Sequence, residues 1–310
     1  MRVLVSGADG FSGTHLVRGL KEAGREVIGA VFGRAAEDGE IRVDLTRAED
    51  LSRLTVDVDA VVHAAGIVEP TAGAQAMHEV NVAGTAHLAA WARAHSVRHF
   101  VHLSSVAVYG PLLLGEDRDE RTPRLARLGG LAYMRSKALA EVALERSGVP
   151  YTSLRPPAIV GAGDTVISRG FVEALREGAG IPLVRGARLD RRVSLAFAGG
   201  VVEVVRRVLD HGPLWGALHV VDAELTLGEL ARVYAAALHT RCTFVRSSWP
   251  EVARRRASPG FQWLAASARF GQHYSREKLL KKLGYRSSIA LENAVQAGIS
   301  SLQGDSRRLF

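Results

Sequence analysis

The first twenty residues constrain this chain more than any other stretch. Arg2 to Ser6 (RVLVS) is a short, apolar, β-branched run; Gly7, Gly10 and Gly13 follow at once, and Leu16, Val17 and Leu20 then recur at helical spacing. A buried strand therefore passes into a helix through a glycine-rich turn. Such a turn gathers unsatisfied backbone N–H groups at the positive end of a helix dipole, which suits a pyrophosphate. Its glycines serve a tight turn, close backbone approach to phosphate, and close packing of helix on strand. The spacing is G-x-x-G-x-x-G, one residue longer at the first gap than the commoner dinucleotide fingerprint. With 32 glycines in 310 residues a triplet alone means little. Its place directly after a strand gives it weight.

Strand and helix go on alternating. Arg25 to Phe32 is a second strand, at whose end an acidic residue would bond the adenosine ribose hydroxyls of NAD. Val31 and Phe32 stand there instead, and Arg34 follows, a guanidinium suited to a 2′-phosphate. NADP is therefore expected ahead of NAD. Ile41 to Leu45 is a third strand; its Asp44 either accepts from an adenine amino group or caps the helix that begins near Ala48. Ala60 to Gly66 is a fourth strand, and the small Ala64, Ala65 and Gly66 let ribose and pyrophosphate lie against backbone. His63, alone in that apolar run, reads as a satisfied core residue and not as a base.

A helix is expected over Val80 to Trp91, then a fifth strand over Phe100 to Leu103 that delivers Ser104, Ser105 and Tyr109. Pro111 to Gly130, with its acidic cluster from Glu116 to Glu120, reads as a mobile loop on the substrate side. A helix follows from Tyr133 to Arg146, and a sixth strand from Val149 to Leu154. This alternation predicts an α/β fold, a doubly wound parallel sheet covered on both faces. Residues 1–165 form its dinucleotide-binding domain. Residues 166–310 are mostly a small, discontinuous C-terminal substrate domain, some of whose elements return to the first or build a lid over the crevice. Helices are expected at Val166 to Gly178, Gly200 to Leu209, Leu227 to Leu238 and Glu292 to Leu302, and strands at Arg192 to Phe197 and Leu218 to Val221.

Composition narrows the class. The 40 basic residues include five lysines only, and the formal charge is +8. The arginines are spread through the whole chain, so an anionic cofactor or substrate is expected and a nucleic-acid partner is not. The densest run, Arg254 to Arg256, reads as a solvated face. Cys242 is the single cysteine, which excludes an intramolecular disulfide and a cysteine metal site and suits a reducing compartment. No apolar run approaches the length of a membrane span, and no apolar signal region precedes the first strand. A cytoplasmic protein without metal or membrane partner is expected.

Tyr133 and Lys137 are four apart and share one helix face. A free tyrosine, with a pKa of about 10, is a poor acid–base group at neutral pH. A lysine cation one turn away is expected to stabilise the phenolate and lower that pKa, while also reaching a cofactor ribose hydroxyl. Ser105, leaving a strand end that faces the same crevice, can orient a substrate oxygen toward the tyrosine. Together these groups deprotonate an alcohol while its carbon gives hydride to a nicotinamide, or act in reverse on a ketone. Tyr109 has no lysine one turn away.

The motifs SGADGFSG (Ser6 to Gly13), VDL (Val43 to Leu45), VVHAAG (Val61 to Gly66), NVAGT (Asn81 to Thr85), SSVAVYG (Ser104 to Gly110), YMRSK (Tyr133 to Lys137) and LRPPAIVGAGD (Leu154 to Asp164) occur in that order. As a set they resemble the extended short-chain dehydrogenases/reductases, the NAD-dependent epimerase/dehydratase group. The resemblance implies a Rossmann-type domain, and Ser105, Tyr133 and Lys137 as catalytic residues. It also implies cofactor contacts at the glycine turn, with Phe11 and Ser12 in it, at Asp44 and Leu45, and at Pro156. A homodimer is implied as well. RRVSLAFAGGVVEVV (Arg191 to Val205) resembles the segment that carries a substrate-facing arginine in sugar-nucleotide members, here Arg192, although the aspartate usual near Gly199 is absent. Trp249 and Pro250 lie in a region more like steroid-dehydrogenase-like and dihydroflavonol-reductase-like members.

Three functions compete. The first is an oxidoreductase acting on a secondary alcohol or ketone; the second is a nucleotide-sugar epimerase or keto-reductase, with Arg192 on the diphosphate; the third is a catalytically silent dinucleotide-binding regulator. Dehydration is disfavoured, because Met134 and Arg135 beside the tyrosine offer no carboxylate.

Overall fold

The computed structural model describes residues 1–110, 115–129, 131–254 and 258–305. Its first half runs β1 (Arg2–Ser6), α1 (Phe11–Glu22), β2 (Glu26–Val31), β3 (Glu40–Arg42), α2 (Ala48–Ser52), β4 (Ala60–His63), α3 (Gly73–His78), α4 (Gly84–Ala94), β5 (His99–Leu103), β6 (Gly115–Arg118), α5 (Ala132–Ser147), β7 (Tyr151–Arg155) and β8 (Ala158–Val160). Then come α6 (Ile167–Phe171), β9 (Ile181–Leu183), β10 (Arg192–Phe197), α7 (Ala198–His211), β11 (Gly216–His219), β12 (Ala223–Thr226), α8 (Leu227–Ala237), β13 (Phe244–Arg246), α9 (Trp249–Arg254), α10 (Pro259–Phe270), β14 (Gln272–Tyr274), α11 (Glu277–Leu283) and α12 (Leu291–Asp305).

Seven strands form one sheet in the order β11-β7-β5-β4-β1-β2-β3, and every pairing in it is parallel. The chain starts at β1, builds outward to β3, then crosses back to β4 on the other side. That reversal opens a crevice between β1 and β4 at the strands' carboxyl ends, where ligands of such sheets bind.

Alternation along the strands explains the two covered faces. Val3 and Val5 pack with Leu16 and Leu20 of α1 and Val204, Val205 and Val208 of α7 on one face. Leu4, Val61 and Phe100 pack with Leu88 and Trp91 of α4 and Leu144 of α5 on the other. Phe100 is wholly buried, so its truncation to alanine costs about 3–5 kcal/mol.

A second sheet has the order β12-β10-β14-β6, with β8 joined to β10. It lies over a separate core in which the Phe171 and Tyr234 rings stack at 3.9 Å. Helix α8 begins with a capping box, Thr226 and Glu229 each bonding the other's backbone N–H.

Several boundaries differ from the sequence reading. The third strand stops at Arg42, because Asp44 turns the chain out of the sheet by accepting from Thr46 N and Oγ1. The helix expected over Val80 to Trp91 is the later part of an unbroken helical run, Gly73–Ala94, with a π segment at Glu79–Ala83, and the one expected from Val166 runs from α6 straight into a π segment at Val172–Arg176. The stretch read as a loop contributes β6 to the second sheet; its Pro111 to Leu114 and Gly130 lie outside the described residues, as do Arg255 and Arg256 of the basic run. Strand β11 and helix α7, from the second half of the chain, belong to the large sheet.

Candidate active site

At the end of β1 the backbone turns at Gly7 with φ +69°, and Gly7 N donates to Ala30 O at 2.9 Å. Gly10 caps α1 without a side-chain bond, and no acidic residue stands in the helix's first turn, where Phe11 and Ser12 are partly exposed. The positive end of a 12-residue helix is thus left to an external anion. A Cβ at Gly7 would come within 2.6 Å of the Ala65 backbone, and one at Gly13 would run into the Gly7 carbonyl. The turn and the Ala64–Ala65–Gly66 segment after β4 therefore form one cradle with backbone on both walls. A pyrophosphate-bearing dinucleotide fits such a cradle.

The far wall carries Ser105, Tyr133 and Lys137. Ser105 leaves β5 in extended conformation, and its Oγ accepts from Ala107 N at 3.1 Å to start the short turn Val106–Tyr109. Its hydroxyl lies close enough to Tyr133 to lower the phenol's pKa. Pro156, buried after β7, holds the same turn through its carbonyl, which accepts from Val106 N at 3.2 Å. Tyr133 sits in the first turn of α5 and Lys137 one turn later, 5% exposed, with Nζ donating to Leu103 O at 3.0 Å.

The electrostatics correct one expectation. Burial raises the Tyr133 pKa, the nearby Ser105 hydroxyl working against it, so Lys137 does not bring it down in this arrangement. The reason is where the ammonium points, at the Leu103 carbonyl. Burial also lowers the Lys137 pKa to about 8, with Glu141 opposing.

Asn81 completes the wall, a residue the sequence reading placed on a helix without a role. In the π-type turn before α4 and 2% exposed, it accepts from Ile67 N at 2.7 Å and donates to Ile67 O at 2.9 Å and to Ser136 Oγ at 2.9 Å. It thereby fastens the segment after β4 to α5. Gly66 lies between: its Cβ would be 3.1 Å from Asn81 Oδ1 and 3.3 Å from Lys137 Nζ. A buried polar residue in an alanine-rich run was the available signal.

Behind these groups lies a buried network. Glu141 accepts from Ser104 Oγ at 2.6 Å, from Arg155 Nε and Nη2 at 2.9 and 2.6 Å, and from Arg124 Nη1 at 3.1 Å. Burial pushes Glu141 upward, but Arg155, Ser104 and Arg124 outweigh it and the net pKa is lowered. Arg155 continues to the Tyr109 hydroxyl at 3.0 Å, and that hydroxyl meets His219 Nε2 at 2.6 Å. Tyr109 is thus part of the support, with its pKa pushed up to about 12 by burial. His63 bonds Ser6 Oγ at 2.6 Å and Thr85 Oγ1 at 2.9 Å, and burial, His102 and Lys137 hold it well below the usual histidine range. Both its nitrogens serve the core.

Four other residues singled out by sequence are engaged elsewhere. Asp44 Oδ1 accepts from Thr46 N at 2.9 Å and Oγ1 at 2.7 Å, while Leu45 is buried and its carbonyl meets His87 Nδ1 at 3.0 Å. Arg34 is not the free fork that a 2′-phosphate was expected to meet: both its terminal nitrogens bond the Glu40 carboxylate at 2.7 Å. Arg192 bonds Asp117 Oδ1 at 3.1 Å and His273 Nε2 at 2.6 Å, which ties it to β6 and β14 of the second sheet. Among the described residues no cluster suits a metal ion and no helix is long and apolar enough to cross a membrane.

Comparison with known proteins agrees with this geometry. Residues 3–216 match the model of the NAD dependent epimerase/dehydratase family. The chain is 29% identical over 288 residues to a 3-beta-hydroxysteroid dehydrogenase of Mycolicibacterium neoaurum, covering 85% of this chain and 76% of that protein. It is 30% identical over 275 residues to a 3 beta-hydroxysteroid dehydrogenase/Delta 5-->4-isomerase of Mycobacterium tuberculosis, covering 81% and 73%. Its fold resembles that of the UDP-glucose 4-epimerase of Thermotoga maritima, solved with UDP-glucose, with a TM-score of 0.77 at 17% identity over 99% of this chain and 100% of that one.

Proposed function

The chain belongs to the NAD dependent epimerase/dehydratase family and is an enzyme of the extended short-chain dehydrogenase/reductase type, and from that premise we propose that it moves a hydride between a nicotinamide dinucleotide and a secondary alcohol or ketone, with Tyr133 as the acid–base group. The observation that carries this reading is the placement of Tyr133 and Lys137 one turn apart on α5, with Lys137 Nζ bonded to Leu103 O just before Ser105 and 3.3 Å from where a Gly66 Cβ would stand, beside the glycine cradle.

The residues that would hold the dinucleotide follow from the cradle. The Gly7–Gly13 turn and the start of α1, with Phe11 and Ser12, would take the pyrophosphate; Ala64, Ala65 and Gly66 would pack against it; Lys137 would take ribose hydroxyls; Pro156 would border the nicotinamide end. Asp44 and Leu45 would border the adenine, as the family resemblance implies, with Asp44 Oδ1 held by Thr46. When bound, the nicotinamide supplies the hydride acceptor or donor. Ser105 Oγ holds the substrate oxygen against Tyr133 Oη. In the reducing direction Tyr133 gives that oxygen its phenolic proton; in the oxidising direction the phenolate takes a proton from the substrate hydroxyl. Lys137, whose Nζ donates to Leu103 O, would favour the phenolate if its ammonium turned toward the ribose.

An apolar substrate fits best, because Arg192, the cation expected for a sugar-nucleotide diphosphate, is taken up by Asp117 and His273. The relatives named as hydroxysteroid dehydrogenases support the same choice. A nucleotide-sugar epimerase is the second reading, supported by the fold shared with the Thermotoga enzyme. A thermal-shift panel separates them: stabilisation by UDP, GDP or dTDP supports the sugar reading, and reduction of an apolar ketone with no nucleotide shift excludes it. The catalytically silent regulator falls if Tyr133→Phe abolishes turnover while the dinucleotide still binds. A homodimer and a cytoplasmic setting belong to the same proposal, the first supported by the family resemblance and the second by the single Cys242.

A further inference from the structure

The end of β2 carries no acid. Phe32 stands there, 58% exposed, and Gly33 and Arg34 follow. A carboxylate nevertheless reaches this place from the next strand. Glu40 opens β3 opposite Gly29 of β2, which leaves it room: a Cβ at Gly29 would press at 3.2 Å on Glu40 Cγ and at 3.1 Å on the Ala8 methyl. The Glu40 carboxylate is therefore delivered beside the first residues of the glycine turn. It is also held there, since Oε2 accepts from Glu37 N at 3.0 Å while both oxygens take the two nitrogens of Arg34.

These groups border a cavity of about 720 Å³ next to the turn, lined by Ala8, Asp9, Lys21, Gly33, Arg34 and Glu40 among others. Asp9 is the second carboxylate, its Oδ2 3.4 Å from Gly33 N. An adenosine whose pyrophosphate sits on the Gly7–Gly13 turn brings its ribose to this cavity. A 2′-hydroxyl can donate to Glu40 there. A 2′-phosphate would instead face two carboxylates and would have to take Arg34 from a two-pronged partner.

We propose that Glu40 sets the cofactor preference of this enzyme toward NAD, by supplying from β3 the carboxylate that β2 lacks and by occupying the guanidinium of Arg34. The inference rests on the dinucleotide reading of the glycine turn and adds to it a specificity-determining residue outside the family motifs quoted above. It replaces the expectation of NADP drawn from Arg34 alone. The pair is partly exposed, Arg34 at 39% and Glu40 at 15%, so the discrimination expected is moderate, not absolute.

Titration calorimetry of the purified full chain with NADH and NADPH tests this without a substrate. The wild type is expected to bind NADH about tenfold tighter than NADPH. Glu40→Gln, which keeps the shape and frees Arg34, is expected to cut that ratio at least fivefold, chiefly by tightening NADPH; adding Arg34→Ala to it is expected to reverse the gain. Thermal midpoints within a few degrees establish that the variants are folded, and Glu40→Ala serves as a second variant if the glutamine form is not. Tighter NADPH binding by the wild type, or a ratio unchanged in the Glu40 variants, overturns the inference while leaving the enzyme reading in place. Binding of neither nucleotide overturns both.

Discussion

Glu141 accepts the Ser104 hydroxyl at 2.6 Å and stands one helical turn beyond Lys137, so a single carboxylate ties the end of β5 to the face of α5 that bears Tyr133 and Lys137. The same carboxylate receives Arg155 from the end of β7. The three elements β5, α5 and β7 thus meet on one buried group.

Removing that group leaves Arg155, 4% exposed, without its anion. Glu141→Gln is expected to lower stability by about 3–5 kcal/mol, read by urea unfolding at pH 7. Because the folded-state pKa of Glu141 is lowered, its stabilisation is complete above the unfolded carboxylate range and is lost as pH falls through the folded value. The gap between wild type and variant should close in acid; a gap that persists there would exclude the ion pair as its source.

Tyr133→Phe removes the proton donor and keeps the ring. Turnover is expected to fall about 10²–10⁴-fold, with dinucleotide affinity falling far less, as stopped-flow hydride transfer and calorimetry would show. The raised Tyr133 pKa gives the sign of the pH dependence: kcat/KM for oxidation rises with pH because it needs the phenolate, and reduction, which needs the phenol, does not.

Lys137 is held against its own solvation. Its pKa of about 8 in the fold lies below the unfolded lysine value, so the unfolded chain binds more protons between the two, and stability rises as pH climbs from about 8 toward about 10. Lys137→Met is expected to raise unfolding stability at pH 7 by about 2 kcal/mol while turnover collapses. Loss of stability in that variant would show that the Leu103 bond outweighs the cost of burying the charge.

The glycine cradle is tested by Gly13→Ala. The added methyl meets the Gly7 carbonyl, so the turn must open. Dinucleotide binding by calorimetry should be lost while the circular dichroism spectrum stays that of the wild type.

The strand–turn–helix at the N-terminus, the alternation of elements and the tyrosine–lysine spacing were legible because each is written in contiguous sequence. What was not legible depends on partners brought close by folding. Arg34 read as free because Glu40 lies six residues on, and only the pairing of β2 with β3 turns that carboxylate toward it. Arg192 read as substrate-facing, yet Asp117 meets it from β6, inside a stretch whose polarity reads as loop. Asn81 and Glu141 carry no local signature of what they hold, since their partners Ile67, Ser104 and Arg155 come from other elements. The direction of the Tyr133 shift was missed for a related reason: spacing fixes a shared helix face, not the carbonyl that an ammonium chooses.

The parallel pairing of β11 with β7, from Gly216 on Thr152 to His219 on Arg155, sets an order of events for the growing chain. When a ribosome has released the first 160 residues, six strands of the large sheet exist and β7 is its open edge, with backbone donors and acceptors exposed until β11 has emerged. Such an edge invites pairing with another nascent copy. The N-terminal part on its own is therefore a poor expression product, and the last strand of the nucleotide sheet doubles as the cap that ends its vulnerable period during synthesis.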